Sequence, residues 1–274
     1  MIGKFDSIFK EMFIQALNLM RLVYLRGNGL THAILPDGFG CFEEIFFKNV
    51  YFEPLRIHRA DVVIDLGAHQ GTFTVYSALN MRPRSILISV EPNPNAYNVL
   101  LENILLHKHL IAEKRIRVHV VNKAVYTSRR VIKFKLTKWS ETPHISASGN
   151  LCVQTITLRE IFSLFQHLKD PRVLLKMDIE GVEHDLLTDE QSLKFIRMCK
   201  YIAIEPHGNV DMIKETLEYL GFRTRIHNIT LEPQLWKKWL NYKPKLYTST
   251  IAAYRLIVSS IAKPKITIVK AERQ

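Results

Sequence analysis

The sequence predicts an α/β protein with a single doubly wound, mostly parallel β-sheet. Short β-branched apolar runs alternate along the chain with helical patterns of about 10–15 residues, which is typical of βαβ units. The length of 274 residues and the apolar fraction of 47% suit one large domain with a substantial buried core. In such a sheet, ligands bind at the carboxyl ends of the strands.

Strands are predicted where apolar runs end in polar or turn residues, and helices where apolar residues recur every three or four positions. The predicted strands are 62–66, 85–90, 117–126, 131–136, 151–157, 173–179, 201–205, 222–227 and 250–256. The predicted helices are 4–25, 72–81, 96–106, 158–168, 182–196 and 211–220. Turns and short extended pieces are expected over 27–60, and a polar loop over 137–150.

The spacing of the cysteines and the length of the apolar runs argue against several classes of protein. The three cysteines are far apart and form no C-x-x-C, which argues against a disulfide framework or a zinc ribbon and favours a cytoplasmic location. No apolar run is long enough for a transmembrane helix, and the N-terminus is a poor signal peptide. The amphipathic helix predicted over 4–25 either packs on the domain or lies on a membrane surface as a peripheral contact.

The first predicted strand ends in a glycine-containing turn. Asp65 precedes Gly67 and Gly71, which are spaced as G-x-x-x-G. A dinucleotide fingerprint would need a further glycine in place of His69, and no P-loop motif is present. The turn therefore either brings the backbone close to a ligand or simply joins a strand to a helix.

The next two strand ends add groups suited to a nucleoside. Glu91 lies twenty residues after Gly71, where a carboxylate can accept both hydroxyls of a ribose. Asn122 follows the third strand and could bond an adenine edge or serve only as a turn residue. The glycine turn and Glu91 together predict a nucleoside site.

Acidic residues and a histidine follow the fourth and fifth predicted strands. Glu180 and Glu183 could simply complement a helix dipole, whereas Asp178 is still on the strand. Asp178, Glu205 and His207 could form a general base with its orienting acids. The same three side chains could instead bind a divalent metal.

These motifs resemble the FkbM-type class I S-adenosylmethionine-dependent methyltransferases. The resemblance covers roughly residues 40–260 and depends on the combination of several segments. They are EEIFFKNVY (43–51), VVIDLGAHQGTFT (62–74), VEPNPNAYNVLLEN (90–103), NKAV (122–125), LKMDIEGVEHDLL (175–187) and IAIEPH (202–207). The resemblance implies a Rossmann-like sheet of seven strands, the last antiparallel, and O-methylation of a hydroxyl on a sugar, glycan or secondary metabolite.

The resemblance also implies roles for individual residues. The cofactor-binding set is Asp65, Gly67, Ala68, His69, Gly71, Glu91, Pro92, Asn122 and Ala124. The remaining recurrent polar positions, taken as catalytic, are Lys176, Asp178, Glu180, Glu205 and His207. His207 is the first choice of base because an imidazole titrates near working pH, and Asp178 is the second. A divalent metal that lowers the pKa of the acceptor hydroxyl is the variant mechanism.

The predicted organisation is an N-terminal helix and lead-in over 1–58, the methyltransferase domain over 59–260, and a basic tail over 261–274. The chain carries a formal net charge of +12, most of it after residue 222, where eleven Lys and Arg face two acidic residues. This basic region is a solvated face, or it contacts an anionic substrate or nucleic acid.

Two other functions compete with O-methylation of a small molecule or glycan. The basic region motivates an RNA or DNA methyltransferase, although Asp178-Ile179-Glu180-Gly181 replaces the N/D-P-P-Y type loop that base N-methylation often uses. The other rival is a binding module that retains the fold without turnover. The sequence predicts a small-molecule or glycan acceptor as the partner and gives no oligomeric state.

Overall fold

Thirteen strands and nine helices are present in the part of the chain that the computed structural model describes. These residues are 23–27, 30–34, 39–46, 48–137, 140–145, 149, 151–230 and 265–273. The strands are β1 (Val23–Gly27), β2 (Leu30–Ile34), β3 (Val62–Leu66), β4 (Ile86–Val90), β5 (Arg117–Val121), β6 (Ala124–Val125), β7 (Val131–Thr137), β8 (Ser140–Ile145), β9 (Leu151–Ile156), β10 (Val173–Met177), β11 (Cys199–Ile204), β12 (Phe222–Thr230) and β13 (Lys265–Arg273). The helices are α1 (Phe39–Phe46), α2 (Pro54–Arg59), α3 (Thr72–Asn80), α4 (Pro94–Leu106), α5 (Lys108–Glu113), α6 (Leu158–Ser163), α7 (Glu183–Thr188), α8 (Glu190–Ile196) and α9 (Val210–Tyr219).

The central sheet has seven strands in the order β5-β4-β3-β10-β11-β13-β12. Strands β5, β4, β3, β10 and β11 pair in parallel, whereas β13 runs antiparallel to both of its neighbours. The prediction of a doubly wound, mostly parallel α/β sheet is confirmed, and so is the single antiparallel strand that the resemblance implied. A smaller sheet, β6-β9-β7-β8, follows β5 in the chain.

Side chains of the central strands alternate between two apolar clusters, one on each face of the sheet. On β3, Val62 and Ile64 belong to one cluster and Val63 to the other. All five residues of β3 are buried, as expected of a parallel strand covered on both faces. By the same alternation, Asp65 and Lys176 lie on the face of Val63 and Leu174. This face is the one that carries the polar site.

The lead-in segment packs on that face as two helices. Residues 27–60 were predicted as turns and extended pieces, and this prediction is wrong for α1 and α2. Ile45, Tyr51 and Ile57 are buried in the same cluster as Val63, so the segment completes the core. The predicted helix 4–25 lies outside the described residues except for 23–25, which begin strand β1.

Several predicted elements have different limits. The predicted strand 117–126 is interrupted after Val121, and the predicted helix 182–196 is divided at Asp189, which caps α8 by accepting a hydrogen bond from Ser192 N. The predicted helix 158–168 ends at Ser163, and the predicted strand 173–179 ends at Met177. The loop predicted over 137–150 contains β8, which pairs with β7. The predicted strand 250–256 lies outside the described residues.

The end of the sequence contributes a central strand. The prediction of a basic tail over 261–274 is wrong for Lys265–Arg273, because β13 lies between β11 and β12. Ile266, Ile268 and Val269 are buried there. Lys270 and Arg273 on the same strand are less deeply buried than these apolar residues. No helix among the described residues is both long and apolar enough to span a membrane.

Candidate functional site

A cavity opens at the carboxyl ends of β3 and β4, extending to the end of β10. Its walls come from the turn after β3, the segment after β4, the start of β6 and the turn after β10. The lining residues are Cys41, Gly67, His69, Val90, Glu91, Pro92, Lys123, Ala124, Val125, Phe134, Asp178, Ile179, Glu180 and Val182. Five of the nine predicted cofactor-binding residues are therefore at the wall: Gly67, His69, Glu91, Pro92 and Ala124.

The glycines of the first turn allow close packing of the backbone. Gly67 has a φ of +74°, and a Cβ there would lie 1.7 Å from the carbonyl oxygen of Asp178. Gly71 has a φ of +83°, and its Cβ would lie 2.5 Å from Cδ1 of Leu100 on α4. Both positions favour glycine, since other residues rarely adopt this conformation and neither site has room for a side chain. Gly67 borders the cavity, whereas Gly71 and Ala68 are not in its wall.

Glu91 is buried and held by backbone donors. Its two carboxylate oxygens accept hydrogen bonds from His69 N and Asn93 N, each at 2.7 Å. Burial raises the pKa of Glu91, although His69 and these backbone donors oppose the shift. Each carboxylate oxygen has a second lone pair, so Glu91 can still accept hydroxyl donors from the cavity.

Asn122 and Asp65 support the cavity from behind its wall. The Asn122 side chain donates to the carbonyl oxygens of Glu91 at 2.8 Å and Pro92 at 3.2 Å, which fixes the segment after β4. Asp65 is fully buried and accepts a hydrogen bond from Thr74 Oγ1 at 2.7 Å. Neither side chain lines the cavity, and the adenine contact of Asn122 and the ligand contact of Asp65 stay predictions.

Lys176 is a buried cation at the centre of the site. Its Nζ lies 3.3 Å from Asp65 Oδ1 and 3.3 Å from Asp178 Oδ2, and it donates to the carbonyl oxygen of Gly67 at 2.6 Å. Burial lowers its pKa, but Asp178, Asp65 and Glu205 outweigh burial and raise the pKa above the ordinary lysine value. Lys176 therefore remains charged and holds Asp178 at the cavity wall.

Tyr51 links the lead-in segment to this cluster. Its hydroxyl lies 3.0 Å from Asp178 Oδ2 and 2.7 Å from Glu205 Oε2, within hydrogen-bond distance of both carboxylates. Burial and the nearby charge of Asp178 raise the pKa of Glu205 to about 7. Sequence reasoning missed Tyr51, because nothing in the local pattern of the lead-in indicates a contact with residues so distant in the chain.

His207 is oriented by Glu183, for which the sequence left open whether it only complements a helix dipole. His207 Nδ1 lies 3.0 Å from Oε1 of Glu183, which is fully buried and accepts hydrogen bonds from Ile179 N and Gly181 N. The other ring nitrogen, Nε2, lies 3.5 Å from Glu180 Oε2 and 3.9 Å from Asp178 Oδ1.

The surrounding carboxylates keep His207 protonated. Burial lowers its pKa, but Glu183 and Glu180, with Asp178 further away, outweigh burial and raise the pKa to about 9. The sequence-based reason for choosing His207 as base, an imidazole that titrates near working pH, is therefore wrong. At neutral pH the ring is an imidazolium paired with acids.

The predicted metal set is only partly brought together. Among the described residues, ligand atoms of Asp178, Glu180 and His207 lie within 4.8 Å of one another. Glu205 does not belong to this group. Glu205 Oε2 instead lies 2.7 Å from the Tyr51 hydroxyl. An imidazole must be neutral to bind a metal, so an ion would have to displace the proton that the three acids stabilise on His207.

The raised pKa of His207 predicts a pH-dependent contribution to stability. The folded-state pKa of about 9 exceeds the ordinary value of about 6.5, so the stabilisation is complete below pH ~6.5 and is lost as pH rises through ~9. We expect the difference in unfolding free energy between wild type and His207→Gln to shrink over this range in urea titrations. The exposed His58→Gln is the control, and a difference for His207→Gln that does not vary with pH would contradict the assignment.

Comparison with known proteins gives one family and several similar folds. Residues 65–224, more than half of the chain, match the family described as "Methyltransferase FkbM domain". A precorrin-6y C5,15-methyltransferase from Geobacter metallireducens is 15% identical, with a TM-score of 0.40, over 80% of this chain and 84% of that chain. A methyltransferase FkbM from Methylobacillus flagellatus is 15% identical, with a TM-score of 0.44, over 68% of this chain and 44% of that chain. A putative RNA methyltransferase from Pyrococcus horikoshii is 13% identical, with a TM-score of 0.41, over 96% and 98% of the two chains. No curated protein matches the sequence.

Proposed function

Since the chain belongs to the FkbM methyltransferase family and is an S-adenosylmethionine-dependent methyltransferase, we propose that its acceptor is a hydroxyl on a sugar, a glycan or a secondary metabolite. The observation that supports this proposal most directly is the position of Asp178. This carboxylate lines the cavity and is also held by Lys176 and Tyr51 in the buried acid cluster. A base at the cavity wall is what hydroxyl methylation requires.

The residues of the cavity suit the cofactor. Glu91 presents a fixed carboxylate that can accept the ribose hydroxyls, and apolar side chains of Val90, Val125 and Val182 line the same space. Polar anchors in an otherwise apolar wall are typical of nucleoside-sized sites. When bound, S-adenosylmethionine supplies an electrophilic methyl group on a sulfonium.

The chain itself must orient the hydroxyl and take its proton. We assign the proton to Asp178, because Lys176 and Tyr51 contact its Oδ2, while the nearest ring nitrogen, His207 Nε2, is 3.9 Å from Oδ1, beyond hydrogen-bond distance. The pKa of Glu205 is raised to about 7, but Glu205 does not line the cavity and is joined to Asp178 through Tyr51. His207, held by Glu183, then orients Glu180 and Asp178 as a charged partner.

The proposed function is tested in two steps. Calorimetric titration with S-adenosylmethionine and S-adenosylhomocysteine measures cofactor binding, and labelled methyl transfer is then screened on sugars, glycans, secondary metabolites and RNA. The reactions are run with and without EDTA, and we expect the rate of methyl transfer to be the same in both. Methylation of RNA alone would replace the hydroxyl proposal with the nucleic-acid alternative. Cofactor binding without transfer to any acceptor would favour a binding module.

Glu91→Ala is expected to weaken S-adenosylhomocysteine binding by about tenfold or more, since a hydrogen bond to a charged group contributes about 1.5–3 kcal/mol. The variant also leaves His69 N and Asn93 N without their acceptor, so its fold is checked by circular dichroism. The matched control is Glu113→Ala, at an exposed position on α5. An unchanged dissociation constant in Glu91→Ala would rule out the ribose assignment.

A further inference from the structure

A second concave surface lies between helix α2 and strands β12 and β13, outside the cofactor cavity. We call it the basic groove and define it by Arg56, Arg223, Arg225, His227 and Lys270, with Glu53 and Glu272 among its other lining residues. It differs from the cofactor cavity in charge: four permanent cations and one histidine face two carboxylates.

The strand register concentrates the positive charge. Arg223, Arg225 and His227 alternate along β12, so they lie on the same face of the sheet. Arg225 is directly opposite Lys270 on β13. Like charges directly opposite each other on neighbouring strands destabilise a sheet, so this pair is costly unless an anion neutralises it.

The carboxylates of the groove neutralise only part of this charge. Glu53 lies 3.4 Å from Arg56 and 3.7 Å from Lys270, and Glu272 pairs with Arg56. Arg223 is directly opposite Glu272 on β13, whereas Arg225 faces Lys270 and forms no ion pair with a carboxylate of the described residues. Burial lowers the pKa of His227, and the charges of Lys270 and Arg225 lower it further, as expected in an excess of positive charge.

The groove lies near the proposed methyl-transfer site on the same face of the sheet. Lys270 pairs with Ala203, two residues before Glu205, and the segment from Tyr51 to Glu53 contacts both the acid cluster and Lys270. Strands are spaced by about 4.8 Å and Asp178 follows β10, three strands from β12, so the groove lies about 15 Å from the methyl-transfer site. One extended acceptor could therefore reach both places.

We propose that the basic groove binds a phosphate or an equivalent dianion on the methyl acceptor, about 15 Å from the hydroxyl that is methylated. This inference depends on the proposed function for the identity of the acceptor, but anion binding itself does not. A phosphate monoester carries close to two negative charges at neutral pH, which suits Arg225 and the neighbouring Lys270. Arginine also binds phosphate oxygens through paired donors.

The test uses the full chain, with pyrophosphate and inorganic phosphate as probes in calorimetric titrations. We expect pyrophosphate to bind wild type and to bind Arg225→Gln at least tenfold more weakly. The control Arg84→Gln removes the same charge from an exposed turn elsewhere and should bind like wild type. Arg225 and Arg84 are both exposed, so both variants should fold. S-adenosylhomocysteine binding is measured on every sample.

Each outcome separates the two proposals. Normal S-adenosylhomocysteine binding with no pyrophosphate binding, or equal pyrophosphate binding by wild type and Arg225→Gln, would overturn the groove and leave the proposed function standing. Pyrophosphate binding that depends on Arg225, without S-adenosylhomocysteine binding, would support the groove and count against the proposed function. Arg225-dependent binding of an RNA oligonucleotide without pyrophosphate binding would overturn the small-acceptor proposal in favour of a nucleic-acid surface.

Discussion

Asp178→Asn is expected to lower methyl-transfer turnover by a factor of about 10² to 10⁴, the usual contribution of a positioned general base. The amide keeps the size of the side chain and an oxygen for Tyr51, but it cannot accept the proton of the hydroxyl. Because the proposed anchor of the cofactor is Glu91 rather than Asp178, the affinity for S-adenosylhomocysteine should change by no more than about threefold. This is a free-energy difference of less than 1 kcal/mol. Single-turnover assays and calorimetry measure the two quantities separately.

Two further variants make this prediction specific. Asp211→Asn makes the same chemical change at an exposed position in α9 and should retain full turnover. His207→Gln should lower turnover less than Asp178→Asn, because we place the imidazolium in a positioning role. Wild-type turnover in Asp178→Asn, or a larger loss in His207→Gln, would contradict the assignment of Asp178 as base.

Lys176→Met is expected to lower the free energy of unfolding by about 3–5 kcal/mol, the cost of breaking a buried ion pair by removing one partner. Lys176 has an exposed fraction of only 3%, and Asp65 beside it is fully buried. Without the ammonium group, Asp65 keeps its charge in an apolar environment or takes up a proton. The loss should therefore be greater at pH 8 than at pH 5 in denaturant titrations.

A double-mutant cycle with Asp65→Asn isolates the pair. Adding Asp65→Asn should cost less stability in the Lys176→Met background than in wild type, because the uncompensated charge is then absent. The exposed Lys108→Met should be close to neutral in both backgrounds. Strict additivity of Lys176→Met and Asp65→Asn would show that the two side chains do not interact in the folded protein.

Much of the fold could be predicted from the sequence because the central strands are short apolar runs with polar residues at their carboxyl ends. Val62–Leu66 and Val173–Met177 are buried throughout, and parallel pairing brings their ends to one edge. The predicted catalytic residues Asp178, Glu205 and His207 consequently meet near Lys176. Which of them pair, and with what protonation, required the three-dimensional arrangement.

The missed residues depend on contacts that have no local signature. Tyr51 is 127 residues from Asp178 in the chain, and its hydroxyl reaches the site only because the lead-in packs on that face of the sheet. Glu183 fits a helix start, but its carboxylate turns back to two backbone donors and to His207. The buried carboxylate of Glu183 raises the pKa of His207 and so keeps the imidazole protonated.

The position of β13 has a consequence for how the protein forms during its synthesis. On the ribosome, β11 and β12 emerge before β13, yet β13 must lie between them. Until residues 265–273 have been made, β12 lacks its partner, and β11 presents an unpaired edge to other chains. The central sheet is therefore complete only after residues 265–273 have emerged, and until then the nascent chain carries a strand edge that can pair with another chain.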